Sequence, residues 1–144
     1  MKDGSYRISL RIWHPTSSSK LIIDKVGLNP KFSQDVGERR KNPNGSELDG
    51  FYKESYCTFV ILEKVPGYFL DGVNSALPLL REKRAHFSQI RREGGRLDLF
   101  VGVFIESSSG FVLKTVEMNA LVELEIEPPR EVGRLFGLSH AALA

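Results

Sequence analysis

Apolar and polar residues alternate from the start of the chain. Tyr6, Ile8, Leu10 and Ile12 take turns with Arg7, Ser9, Arg11 and Trp13, a period of two that predicts a half-buried strand. His14-Pro15 closes it, because proline has no N–H to give to a sheet ladder. Capping side chains follow at Thr16, Ser17, Ser18 and Ser19, then Leu21, Ile22 and Val26 fall on one side of a helix predicted over 18–26, with Gly27 as its C-cap. Residues 31–55 are polar and carry Gly37, Pro43, Asn44-Gly45 and Gly50. They read as a long polar loop, with room for a small hairpin at Asn44-Gly45.

Residues 56–63 are aromatic and β-branched and apolar on both faces, which predicts a central strand. Phe69, Leu70, Val73, Ala76, Leu77 and Leu80 recur at helical spacing, and Pro78 is expected to kink or break that helix. Phe87 and Ile90 predict a second helical piece that stops at Gly94-Gly95. Leu97, Leu99, Val101, Val103 and Ile105 give the clearest strand, with Asp98, Phe100, Gly102, Phe104 and Glu106 on its other face. A turn over 107–110 and a short helix over 113–121 come next. Val122, Leu124 and Ile126 then alternate with Glu123, Glu125 and Glu127, predicting a last strand with an acidic outer face.

Helices lying over one face of a sheet would bury these stripes economically. The expected fold class is α+β: a two-layer sandwich of ferredoxin-like character, with a mainly antiparallel or mixed sheet of about four strands. Residues 1–129 form a single domain on this reading. Residues 130–144, after Pro128-Pro129, are a tail that either holds one helical turn or is disordered.

The length of 144 residues suits one domain that needs no disulfide or metal. A hydrophobic fraction of 41% and a charged fraction of 26% argue against global disorder. The net charge of +2 is well short of the balance of a dedicated nucleic-acid binder. The single cysteine, Cys57, excludes an intrachain disulfide, and no apolar run reaches membrane-spanning length. A cytoplasmic location without a membrane partner is the expectation.

Recognised chemistries are mostly excluded. His14, His86 and His140 lack metal-ligand spacing. Cys57, in a core strand, reads as an inert small hydrophobe. No nucleophile elbow and no phosphate-cradling glycine loop is present. The sequence therefore assigns no catalytic residue, no metal and no cofactor. The acidic residues of the last strand read first as a solvated face. An enzyme would have to assemble a pocket from scattered groups such as Trp13, His14 and that acidic strand.

Basic residues give the one candidate patch. Arg81, Lys83, Arg84, Arg91, Arg92 and Arg96 cluster around the second helical region, opposed by Glu82 and Glu93. Arg39, Arg40 and Lys41 could join them in space. Such a patch suits an acidic protein or phosphates, although only Phe87 lies near it as a stacking group.

The opening strand at 6–13, the helix ending Val26-Gly27-Leu28-Asn29-Pro30, the basic glycine loop at 36–39 and the aromatic strand at 56–62 occur in an order that resembles the bacterial family called domain of unknown function 4279. The resemblance covers about residues 6–127 and implies an immunity-type role, with no catalytic residues to carry over. The leading expectation is accordingly a non-enzymatic protein-binding module, of immunity type, that meets an acidic partner. The alternative is a small nucleic-acid-binding domain using the basic segment 81–96. An exposed edge strand would also allow a homodimer.

Overall fold

The computed structural model describes residues 5–104, 120, 123–127 and 132–134. Strand β1 (Ser5–His14) lies in the middle of the main sheet. It pairs antiparallel with β5 (Ser55–Pro66) on one side and with β6 (Arg96–Phe104) on the other. A three-residue strand, β2 (Phe32–Gln34), adds antiparallel to the outer edge of β5. Between β1 and β2 runs helix α1 (Ser19–Val26), and between β5 and β6 run α2 (Phe69–Glu82) and α3 (Arg84–Arg92). The order β2-β5-β1-β6, antiparallel throughout, is that of the ferredoxin-like βαββαβ arrangement. The expected α+β class is what the chain adopts.

Period two decides which side of the sheet is dry. Ile8, Leu10 and Ile12 of β1, Cys57 and Phe59 of β5, and Leu97, Leu99 and Val101 of β6 share one face. Onto it pack Ile22 and Val26 of α1, Val73, Ala76, Leu77 and Leu80 of α2, and Phe87 and Ile90 of α3. Burial of an aliphatic or aromatic side chain contributes about 1.5–3 kcal/mol, so this single layer of contacts carries most of the stability.

Helix α1 begins where the sequence places it. The Ser18 hydroxyl accepts from Leu21 N–H, and Gly27 ends the helix at φ 73 with its N–H donating to the Ile23 carbonyl. A second cap comes from outside the helix: Asp35 Oδ1 accepts from Ser19 N–H at 2.6 Å. At the end of β1, the side chain of His14 is buried. Its Nδ1 accepts from Thr16 N–H and Ser17 N–H, which leaves Nε2 to donate to Glu93 Oε1 at 2.8 Å. The ring is thereby held as the neutral Nε2–H tautomer.

Four expectations are corrected. Helix α2 passes through Pro78 and ends at Glu82, so the break falls at Lys83. Pro78 and Asn74 are both exposed, and water can reach the Asn74 carbonyl that proline leaves without a donor. The polar stretch 31–55 is structured: besides β2 it holds a hairpin of β3 (Arg39–Lys41) and β4 (Glu47–Phe51) that turns at Pro43–Gly45, as the Asn44-Gly45 pair allowed. The acidic last strand does not form. Ala120 and Glu123 are helical, and Glu125 takes φ 60, which breaks any period-two alternation. Leu124 and Ile126 still reach the core from this turn, and Glu127 bridges parallel to Asp98. Finally, β7 (Val132–Arg134) pairs parallel with β6, so the sheet continues beyond Pro128-Pro129. The turn at 107–110 and most of the helix expected at 113–121 lie outside the described residues.

The packing can be tested at two residues. Gly72 of α2 sits against the ring of Tyr6, where an added Cβ would collide with it. Gly72→Ala should cost about 1–3 kcal/mol through overpacking, measured by urea denaturation. Burial pushes the Cys57 thiol up to about 11. Native protein should leave a thiol reagent unreacted at neutral pH, and unfolded protein should consume one equivalent.

Candidate functional site

With α1, α2 and α3 on one face of the sheet, the other face is the distinctive surface of the molecule. The residues alternating with the core point onto it: Arg11 and Trp13 from β1, Tyr56 from β5, and Arg96, Asp98 and Phe100 from β6. Register places Arg11 opposite Asp98, and Trp13 between Tyr56 and Arg96.

The groups touch one another in a definite order. Arg11 makes a two-pronged pair with Asp98, Nε to Oδ1 and the terminal nitrogen to Oδ2, each at 2.8 Å. This hydrogen bond holds the Arg11 guanidinium charged against a smaller opposing effect of burial. The same guanidinium lies 5.2 Å from the Trp13 ring centroid and 4.9 Å from that of Phe100. On Trp13 also rests the Arg96 guanidinium, at 4.0 Å, tethered to Glu54 at 3.3 Å. Trp13 meets Tyr56 at 5.1 Å between centroids, and Tyr56 meets Phe32 of β2 at 6.0 Å. Burial, ahead of other causes, raises the Tyr56 phenol, so it stays protonated at neutral pH. A row of planar groups, Arg96–Trp13–Tyr56–Phe32, therefore crosses from β6 to β2.

At Phe32 the row runs into an open cleft of about 670 Å³ between β2 and the hairpin. Arg39, Arg40, Lys41 and Tyr52 line its far wall. Several bonds brace that wall. Arg39 Nε donates to the Leu48 carbonyl, Lys41 N–H donates to the Tyr52 hydroxyl, and Gly37 N–H and Tyr52 N–H donate to the Tyr52 and Glu38 carbonyls. Arg39 stands 3.8 Å from a fully exposed Asp49, a contact worth little in water. The cleft's near wall is anchored through Asp35, which ties the end of β2 to the start of α1.

The structure divides the nine basic residues singled out from sequence. Arg39, Arg40 and Lys41 come together on the cleft wall. Arg96 leaves the helical segment and joins the aromatic row on the opposite face. Arg81, Arg84, Arg91 and Arg92 are exposed in the helical layer, with Arg91 at 4.0 Å from Glu125. Lys83 turns towards the C-terminus of α1, where its Nζ lies 3.6 Å from the place a Gly27 Cβ would take, the helix end that favours a cation. The hairpin follows the β2 edge while α3 packs on β6, so Arg39–Lys41 do not extend the helical patch. Phe87, the one aromatic residue near that patch, is buried in the core.

Sequence reasoning did not gather Trp13, Tyr56, Phe32 and Arg11 into one site. Part of their signal was present in the alternation of β1, which puts Arg11 and Trp13 on the non-core face. Without the register of β5 and β2 it could not join them to Tyr56 and Phe32. Trp13 and His14 do not share a pocket, because adjacent strand residues face opposite sides and His14 is 1% exposed. Among the described residues no cluster of His, Cys, Asp or Glu could hold a metal ion, and no helix is long and apolar enough to cross a membrane. No family model matches the chain, and neither a curated protein nor a solved structure does.

The tie from Asp35 to α1 gives a pH prediction. The hydrogen bonds from Ser19, the backbone one first, hold the Asp35 carboxyl below the ordinary aspartate value. A depressed folded-state pKa stabilises above the unfolded value and loses that effect as pH falls through the folded one. Asp35→Ala should therefore cost about 1 kcal/mol at neutral pH. The gap to the unmodified protein should close as pH drops below about 4, read by urea denaturation across that range.

Proposed function

We propose that this chain is a non-enzymatic binding module that seats an anionic partner on the outer sheet face and in the adjoining cleft. The observation that carries this reading is the continuous row Arg96–Trp13–Tyr56–Phe32, ending at the three cations of the hairpin. Trp, Tyr and Arg are the residues that most often dominate binding energy when grouped in one patch. They are already ordered here by mutual contact, as tilted ring pairs and a guanidinium over Trp13, which lowers the entropy lost on binding. Cations at one end give orientation and speed encounter with an acidic surface. The immunity-type role implied by the resemblance to domain of unknown function 4279 would use such a surface, since blocking a partner requires complementarity and no chemistry.

Capture of a partner from native lysate by the tagged protein tests this. The unmodified protein and an Arg84→Glu/Arg92→Glu variant should retain the same partner. Trp13→Ala and Phe32→Ala should release it, with thermal melts confirming that both remain folded. Loss of the partner with the helical variant, and retention with both face variants, would overturn the reading and return the site to the helical layer.

A further inference from the structure

The identity of the partner rests on the binding surface at the sheet face and cleft, and the distribution of charge along it separates one class of anionic partner from another. The middle of the face is neutral, because Arg11 is matched by Asp98 and Arg96 by Glu54. The cations of this surface that form no ion pair among the described residues lie at one end, in the cleft: Arg40 donates to the Asp49 carbonyl, and Lys41 stands free of a close carboxylate, although Glu38 shares the cleft lining and Glu47 is the register partner of Lys41 in the hairpin. A folded acidic protein offers carboxylates to the cleft but planar groups only singly, from its own scattered aromatic and arginine side chains. A nucleic-acid strand offers both, base faces for planar groups and phosphates for cations. It must be single, because a duplex hides its base faces.

We propose that the partner is a single strand of nucleic acid. Its bases stack on the Arg96 guanidinium over Trp13, on Tyr56 and on the half-exposed ring of Phe32. Its backbone runs from there into the cleft past Arg39, Arg40 and Lys41. Aromatic rings and arginine planes serve equally as stacking surfaces for unpaired bases. The polar groups of the row are engaged with protein partners, Arg11 with Asp98 and Arg96 with Glu54, so the row offers planes more than free edges and binding is tolerant of sequence.

Trp13 is the only tryptophan of the chain, so its fluorescence reports on the row alone. The purified protein is titrated with a mixed-sequence oligodeoxynucleotide about 12 nucleotides long, with the RNA of the same sequence, and with the DNA duplex. The expected result is quenching by both single strands and much weaker binding of the duplex. For three phosphate contacts, log affinity should fall against log salt with a slope of about −2. Tyr56→Ala should weaken binding about tenfold or more. Arg40→Glu/Lys41→Glu, at exposed hairpin positions, should bring the slope to about −0.7. Tighter binding of the RNA would add the ribose hydroxyl to the contacts, and equal binding would confine them to base and phosphate.

Binding of the duplex as tightly as the single strand, or affinity untouched by both variants, would overturn the proposal. If no oligonucleotide binds while Trp13→Ala still releases a captured protein, the nucleic-acid occupant falls and the sheet-face reading stands. If Trp13→Ala releases nothing either, both fall.

Discussion

Strand β1 hydrogen-bonds along both of its edges, and everything else in the domain depends on that double pairing. Ladders to β5 and β6 hold its backbone straight from Ser5 to His14, with irregularities confined to the β5 side near Ile8. A strand held this way has two working faces. Ile8, Leu10 and Ile12 supply the centre of the core, while Arg11 and Trp13 supply the centre of the opposite surface. Rigidity demanded by packing on one side is transmitted directly to the side chains on the other, because both hang from the same peptide units.

Arg11 is the second organising element. Its bond to Asp98 crosses from β1 to β6 and fixes the guanidinium plane, which then lies beside Trp13 and Phe100. An exposed ion pair alone contributes little to stability. This one is half-buried and two-pronged, and its larger effect is to limit the rotamers of the rings around it. The outer face is thus ordered by a polar contact, where the inner face is ordered by dispersion and the exclusion of water.

The elements legible in the sequence were those whose signal is local. The alternation at 6–12, the serine cap and Gly27 of α1, and the Leu97–Val101 alternation all survive in the structure, because each reports a period or a cap that neighbours enforce. What escaped depended on partners far along the chain. Strand β2 has only three residues and is a strand only because β5 offers it an edge. Glu123–Glu127 mimics an alternating strand, yet its two buried leucine and isoleucine side chains are delivered by a turn with Glu125 in the left-handed region. The basic segment misled for the same reason. Proximity in sequence put Arg96 with Arg84 and Arg91, but Gly94 and Gly95 reverse the chain between them, so Arg96 emerges on the other side of the sheet.

The hairpin β3–β4 is closed at its base by backbone hydrogen bonds of Tyr52 with Gly37 and Glu38, and none of its residues enters the main core. Its length and composition are therefore uncoupled from folding in a way that β1 is not. An insertion in β1 would exchange inner and outer residues along the whole strand, whereas an insertion at the tip near Asn44 would merely reshape a wall of the cleft. In evolutionary terms the molecule separates what must be kept from what can be varied. Descendants of this chain could change what the cleft accepts by exchanging hairpins, while the planar row beside it stayed unaltered.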